Sequence, residues 1–247
     1  MMHTALYVAL FTASLLGFRH GFDYDHIAAI TDIVSVQASK RAAMKLGMLY
    51  AIGHALTVAV LGSIVVLFGV SLPAGIDRWA ERLVGLTLLL LGIYVLGTLI
   101  LKPTDHVPKS RYMLLHQAYH RARIALTQRR GRTLQKEYSA PQSFDTRSVF
   151  MIGVVHGLGA ETPSQLMIFL LAANLGGATL GMLGLLMFLS GLLLMNTLMT
   201  ASAAGVFGLS QHRPQLFRIV SAVTGVYSLV MGVLFLAGSS SILPAIN

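Results

Sequence analysis

The chain has 247 residues, 55% of them hydrophobic and only 11% charged, and it carries a net charge of +9. Soluble domains hold about 25% charged residues, so this composition excludes an ordinary soluble domain. The basic residues lie between apolar runs, which argues against nucleic acid as the partner. There is no cysteine, which excludes disulfides, thiolate metal ligands and thiol redox chemistry.

The start, Met1-Met2-His3-Thr4, lacks the basic n-region of a secretory signal, so the first apolar segment is expected to belong to the mature protein. A membrane span needs about 20 apolar residues. The first segment, Thr4 to about Gln37, is too long for one straight crossing. Its middle holds Gly17, Gly21 and a charged stretch, so one interrupted helix is expected there. Lys40, Arg41 and Lys45 follow. A second span is expected from Met44 to Leu72, ended by Pro73 and carrying Gly53-His54. Asp77, Arg78, Glu81 and Arg82 read as a short linker, and a third span as Leu83 to Leu101.

Residues 102–146 read as a polar connection with nine Lys/Arg and three His (His106, His116, His120). The fourth span, Arg147 to Leu175, is interrupted near His156-Gly157-Leu158-Gly159 and Pro163. Gly176-Gly177 turn into a fifth, Ala178 to Leu209, and the sixth covers Leu216 to Gly238. With six spans and the N-terminus outside, the inner loops hold fifteen Lys/Arg and the outer loops only Arg78 and Arg82, as the positive-inside rule requires. Dividing the first segment into two short spans would give seven crossings. A span at 22–37 would carry three Asp and a His, each central charge costing about 2.5–3.5 kcal/mol, so six is preferred.

The expected fold is therefore all-α and polytopic, with a first three-helix repeat over 1–101, a basic cytoplasmic loop over 102–146 and a second three-helix repeat over 147–247. His20-Gly21-x-x-x-Asp25 lines up with His156-Gly157-x-x-x-Glu161, and Gly53 and Gly191 follow at similar distances. Three spans per unit make the second copy inverted. Inverted repeats whose broken helices meet near the midplane are a transporter architecture.

The chemistry concentrates in Arg19-His20-Gly21-Phe22-Asp23-Tyr24-Asp25-His26 and Asp32. One guanidinium and three carboxylates, with neutral imidazoles, sum to −2, which a divalent cation would balance. Ionisable groups inside a span are functional candidates by default. No regular helix gathers them, whereas unwinding at Gly21 would. Imidazoles with carboxylates suit a first-row ion such as Ni²⁺, Co²⁺ or Zn²⁺ better than Mg²⁺. The metal-contact candidates are His20, Asp23, Asp25 and His26, then His54, Glu161, His156 and Asn196. Asp32 is a weaker one, because it falls near the membrane interface, and His3 is a small further candidate. The bland alternative is an Arg19–Asp23 ion pair with packed histidines.

Arg19-His20-x-x-Asp23-x-Asp25-His26-Ile27 resembles the H-x4-D-H element of the nickel/cobalt transporter family, usually R-H-A-x-D-A-D-H-I, and Ala28-Ala29-Ile30-x-Asp32 continues it. Gly53-His54 is similar to that family's G-H-S element, and Gly157-Leu158-Gly159-Ala160-Glu161-Thr162 to its L-G-F-D-T element. The fourth, G-M-x-x-x-D-T-x-D, is met only by Gly191-Leu192 and Asn196-Thr197, with Met199 at the second Asp position. The N-terminal span usual in the family is not expected in this chain, which in this respect resembles the shorter members grouped with urease and hydrogenase accessory permeases.

The resemblance implies a multi-pass permease of the cell (inner) membrane that is not an enzyme. It would carry Ni²⁺ or Co²⁺ as cargo without a prosthetic group, with the lipid bilayer as its surroundings. It also suggests metalloenzyme-maturation partners without identifying them. Two other readings of the same residues are a proton-coupled transporter of a small organic or anionic solute and an intramembrane metal-dependent enzyme. Against the enzyme, no H-E-x-x-H motif appears. No P-loop is present, so coupling would come from a gradient or a partner.

Overall fold

The computed structural model describes residues 2–35, 37, 39–69, 75–101, 145–159, 162–210 and 213–239. Among these there are helices and turns and no strand. The helices are α1 (Met2–His20), α2 (Tyr24–Ser35), α3 (Lys40–Phe68), α4 (Ile76–Leu101), α5 (Thr146–His156), α6 (Thr162–Ser210) and α7 (Pro214–Leu236). Gly177 (φ 81°, ψ 166°) leaves helical geometry and divides α6 into a first arm, 162–176, and a second, 178–210. Glu161 and residues 102–144 lie outside the described residues, as does the side chain of His3.

Four segments are long and apolar enough to cross a membrane: Lys40–Phe68, Arg78–Gly97, Gly176–Ser210 and Gln215–Leu236. Their outer faces carry bare Ile52, Leu86, Leu194 and Val230, a surface suited to lipid and costly in water. The chain is a multi-pass, all-helical membrane protein.

Helix ends follow local chemistry and refine the expected boundaries. Ser39 caps α3 by accepting from the Ala42 N–H at 3.2 Å, so the helix takes in Lys40, Arg41 and Lys45. It stops at Phe68, ahead of Pro73, because Gly69 adopts the left-handed conformation (φ 64°) and donates to Val65 O, a termination glycine performs without strain. The stretch 77–82, expected as a linker, is helical. It contains no glycine or proline, and Arg78 and Glu81 stand one turn apart, where opposite charges support a helix.

The first segment is broken where the glycine and the charges fall. α1 closes with tight turns from Phe22 N–H to Arg19 O (2.9 Å) and Asp23 N–H to His20 O (3.1 Å), and α2 restarts with Ile27 N–H to Asp23 O (3.1 Å). Asp23 thus stands at the N-cap position. α2 then runs through the interior: Ala28, Ala29, Ile30 and Ile33 are wholly buried and pack with residues of α3, α4, α6 and α7. A second interruption follows α5 at 157–159.

Long helices pair across the sequence: α4 with α7, α3 with the second arm of α6, α1 with that same arm, and α5 with α3. The α1–α6 and α3–α5 seams are backbone against backbone. A Cβ on Gly17 would collide with the Phe188 carbonyl, and one on Gly191 with the Ser14 carbonyl. In the other seam the same holds for Gly53 against Phe150 and for Gly153 against Tyr50. Small residues allow such approach between membrane helices, where packing replaces the hydrophobic drive.

Candidate metal centre

The break between α1 and α2 delivers His20 from the last turn of one helix and His26 from the first turn of the next. α3 supplies His54 beside them. The Nε2 atoms of His20 and His26 each lie 3.3 Å from His54 Nε2. The three residues can each offer a ligand atom within 4.8 Å of the others, and all three are buried. Nitrogens bound at about 2.0–2.1 Å to one tetrahedral ion stand roughly 3.4 Å apart, close to the two short edges seen here.

The carboxylates stand behind these rings. Asp23 Oδ2 is 2.8 Å from His20 Nδ1, and Asp25 Oδ1 is 3.0 Å from His26 Nδ1. With Nδ1–H donating to a carboxylate, the tautomer is set and the Nε2 lone pair is left to face the centre. This carboxylate–histidine arrangement is the usual outer support of metal-bound imidazoles. The remaining oxygen of Asp25 looks toward the second interruption, 3.7 Å from where a Cβ on Gly159 would sit.

Aromatic rings wall the cluster. Phe188 of α6 lies 5.6 Å from the His20 ring. Tyr50, one turn before His54, stands edge-on to His26 at 6.2 Å and tilted to His54 at 6.3 Å. Tyr50 and Phe188 were not among the expected site residues. The available signal for Tyr50 was its spacing of four from His54, which puts both on one face of a helix.

The other nominated residues are placed as follows. His156 lies beyond Tyr50, its Nδ1 3.0 Å from the Tyr50 hydroxyl and its Nε2 2.9 Å from Thr87 Oγ1. Asn196 is fully buried on α6, and neither its amide oxygen nor its amide nitrogen has a hydrogen-bond partner among the described residues. Asp32 sits two turns along α2 from His26, accepting from Ser228 Oγ of α7 at 2.9 Å, and so is an interior residue. Glu161 falls outside the described residues.

Comparison with known proteins bears on this geometry. The sequence profile of the family described as "High-affinity nickel-transport protein" matches residues 6–238. The chain belongs to that family. Among curated relatives, it is 26% identical over 219 residues to the urease accessory protein UreH of Bacillus sp. (strain TB-90), covering 89% of this chain and 86% of that protein. It is 27% identical over 209 residues to the high-affinity nickel-transport protein NixA of Helicobacter pylori (strain ATCC 700392 / 26695), covering 79% of this chain. The NixA of strain J99 is likewise 27% identical, over 210 residues. The chain spans 62% of the length of each NixA protein. No solved structure matches it.

Proposed function

We propose that this protein is a permease of the cell (inner) membrane that moves Ni²⁺, with Co²⁺ as a second accepted ion, through a site made by His20, His26 and His54. The observation that carries the reading is the convergence of three Nε2 atoms while carboxylates occupy the outer nitrogens of two of the rings. Neutral imidazoles are good ligands for Ni²⁺ and Co²⁺ and poor ones for Mg²⁺. Asp23 and Asp25 bring two negative charges against the ion's two positive ones, so an ion in the site leaves little net charge inside the bilayer. Asn196, a buried amide with open hydrogen-bonding capacity, and Glu161 are further polar groups for the ion or its water as it leaves the histidines.

The architecture we infer is six spans as two inverted three-helix repeats, 1–101 and 147–247, flanking the basic loop 102–146. The glycine seams support it, because their partners exchange in register: Gly17 with Phe188 mirrors Gly153 with Tyr50, and Gly191 with Ser14 mirrors Gly53 with Phe150. The two interruptions begin right after His20 and His156, which occupy equivalent places in this register. The ion site would then lie where the first break meets the second half.

The test is ⁶³Ni²⁺ uptake into vesicles holding wild type, His20→Ala or His26→Ala, with unlabelled Co²⁺ as competitor. Wild type accumulates the label, Co²⁺ reduces it, and each variant loses it. Uptake unchanged in both variants removes the three-histidine site.

A further inference from the structure

His156 was nominated from sequence as a metal contact, and its surroundings suit a different task. Thr87 has one hydroxyl hydrogen, which it gives to Val84 O at 2.7 Å. Thr87 Oγ1 must therefore accept from His156 Nε2, 2.9 Å away. That makes His156 the Nε2–H tautomer, with Nδ1 as an acceptor, and the Tyr50 hydroxyl 3.0 Å from it as the donor. Both ring nitrogens are thus engaged, and the imidazole is fully buried. A nitrogen lone pair already receiving a hydrogen bond, with a tyrosine ring between it and the cluster, is poorly placed to bind an ion.

Tyr50 is the link. Its ring is among the largest fully buried side chains and touches both His26 and His54. Among the described residues, its hydroxyl finds its hydrogen-bond partner in His156. A buried tyrosine hydroxyl needs a partner, so the acceptor on His156 decides which way this ring stands. The ring in turn limits how far His26 and His54 can rotate. At the equivalent place across the glycine seams stands Phe188 beside His20, a ring with no hydroxyl to be anchored. The anchor exists on one side only.

We propose that His156 is a positioning residue: clamped between Thr87 of α4 and Tyr50 of α3, it holds the tyrosine ring that keeps His26 and His54 aimed at one point. The functional consequence for ion affinity rests on the nickel reading above, whereas the clamp itself does not. Because His156 is the last residue of α5, it also ties the second interruption to two helices of the first half. Binding geometry at the histidines is thereby linked to the conformation of the break that begins at Gly157.

The test uses the full-length protein in lipid nanodiscs with ¹⁵N-labelled histidine. Nitrogen shifts identify the tautomer, and the signals lost in His156→Gln assign that ring. We expect an Nε2–H imidazole for His156, and displaced His26 and His54 ring signals in Tyr50→Phe. X-ray absorption on the Ni²⁺-loaded protein should count three imidazoles in wild type, His156→Gln, Tyr50→Phe and Thr87→Val alike. Ni²⁺ affinity should fall about tenfold in Tyr50→Phe and in His156→Ala, the size usual for outer-sphere support, with His156→Gln recovering part of it. One imidazole fewer in His156→Gln alone would make the residue a ligand and overturn the proposal. So would unmoved His26 and His54 signals in Tyr50→Phe. If wild type binds no Ni²⁺, the nickel reading falls, and the clamp is still decided by the tautomer and by those ring signals.

Discussion

Asp25 is the sharpest place to separate an orienting carboxylate from a ligand. Its Oδ1 lies 3.0 Å from His26 Nδ1, with the imidazole fully buried and the carboxylate side chain 10% exposed. In Asp25→Ala the Nδ1–H of His26 keeps its desolvation and loses its acceptor, which costs about 1–3 kcal/mol. At about 1.4 kcal/mol per factor of ten, that corresponds to Ni²⁺ binding weaker by roughly 5- to 150-fold. Outer-sphere substitutions at metal sites generally cost about 10- to 100-fold, so the two estimates agree. Loss of one negative charge acts in the same direction. Asp25→Asn keeps an amide oxygen that can accept from Nδ1–H and should fall between wild type and Asp25→Ala. Asp23→Ala should cost less than Asp25→Ala, because its side chain is 15% exposed and water can reach the vacated position. Calorimetric titration of the purified protein with Ni²⁺ measures all four. Asp25→Ala binding within twofold of wild type would refute the orienting role. An oxygen lost from the metal's coordination sphere in that variant would make Asp25 a ligand.

Three further outcomes follow from the packing. Gly153→Ala drives a methyl group into the Tyr50 carbonyl and should cost about 1–3 kcal/mol as overpacking, read as a lower melting temperature in detergent. Gly205→Ala, with open space around it, should be neutral or slightly stabilising; equal losses in the two would discount the seam. Ser228→Ala removes a donor from the buried Asp32 carboxylate and should destabilise by about 1–3 kcal/mol while leaving Ni²⁺ affinity within about twofold; a large affinity loss would place Asp32 in the ion site. Ni²⁺ at a hundred times its Kd should stabilise the fold by about 2.7 kcal/mol, seen as a rise in melting temperature that a chelator reverses and His26→Ala lacks. No rise in wild type would deny binding to the folded state.

Much of the first half could be read from residue types. A glycine between two charged groups in an apolar run marked the break at Gly21, and a single histidine after Gly53 was conspicuous inside a span. What could not be read was which ring nitrogen faces which neighbour. Asp23 and Asp25 were nominated alongside the histidines, since a carboxylate that binds an ion and one that orients an imidazole have the same letter. Tyr50, Thr87 and Phe188 were passed over because aromatic and threonine side chains in apolar helices usually only pack. Their roles depend on contacts between residues as far apart as Thr87 and His156. Element ends were misjudged where a capping residue outranked a proline, at Gly69 ahead of Pro73. The ends also differ at 77–82, where charges that read as a linker lie within a helix.

The crossed glycine seams bear on how the molecule is made. α1 and α3 are synthesised early, yet the surfaces they rest on, at Phe188 and Phe150, leave the ribosome much later. The three histidines are all present once His54 has emerged, but the wall at Phe188 and the anchor at His156 are not. A nascent chain that has inserted only α1 to α4 therefore carries the imidazoles without the scaffold that aims them. On the proposed reading, competence to hold an ion comes only after the histidines are made, once α5 and α6 have joined them.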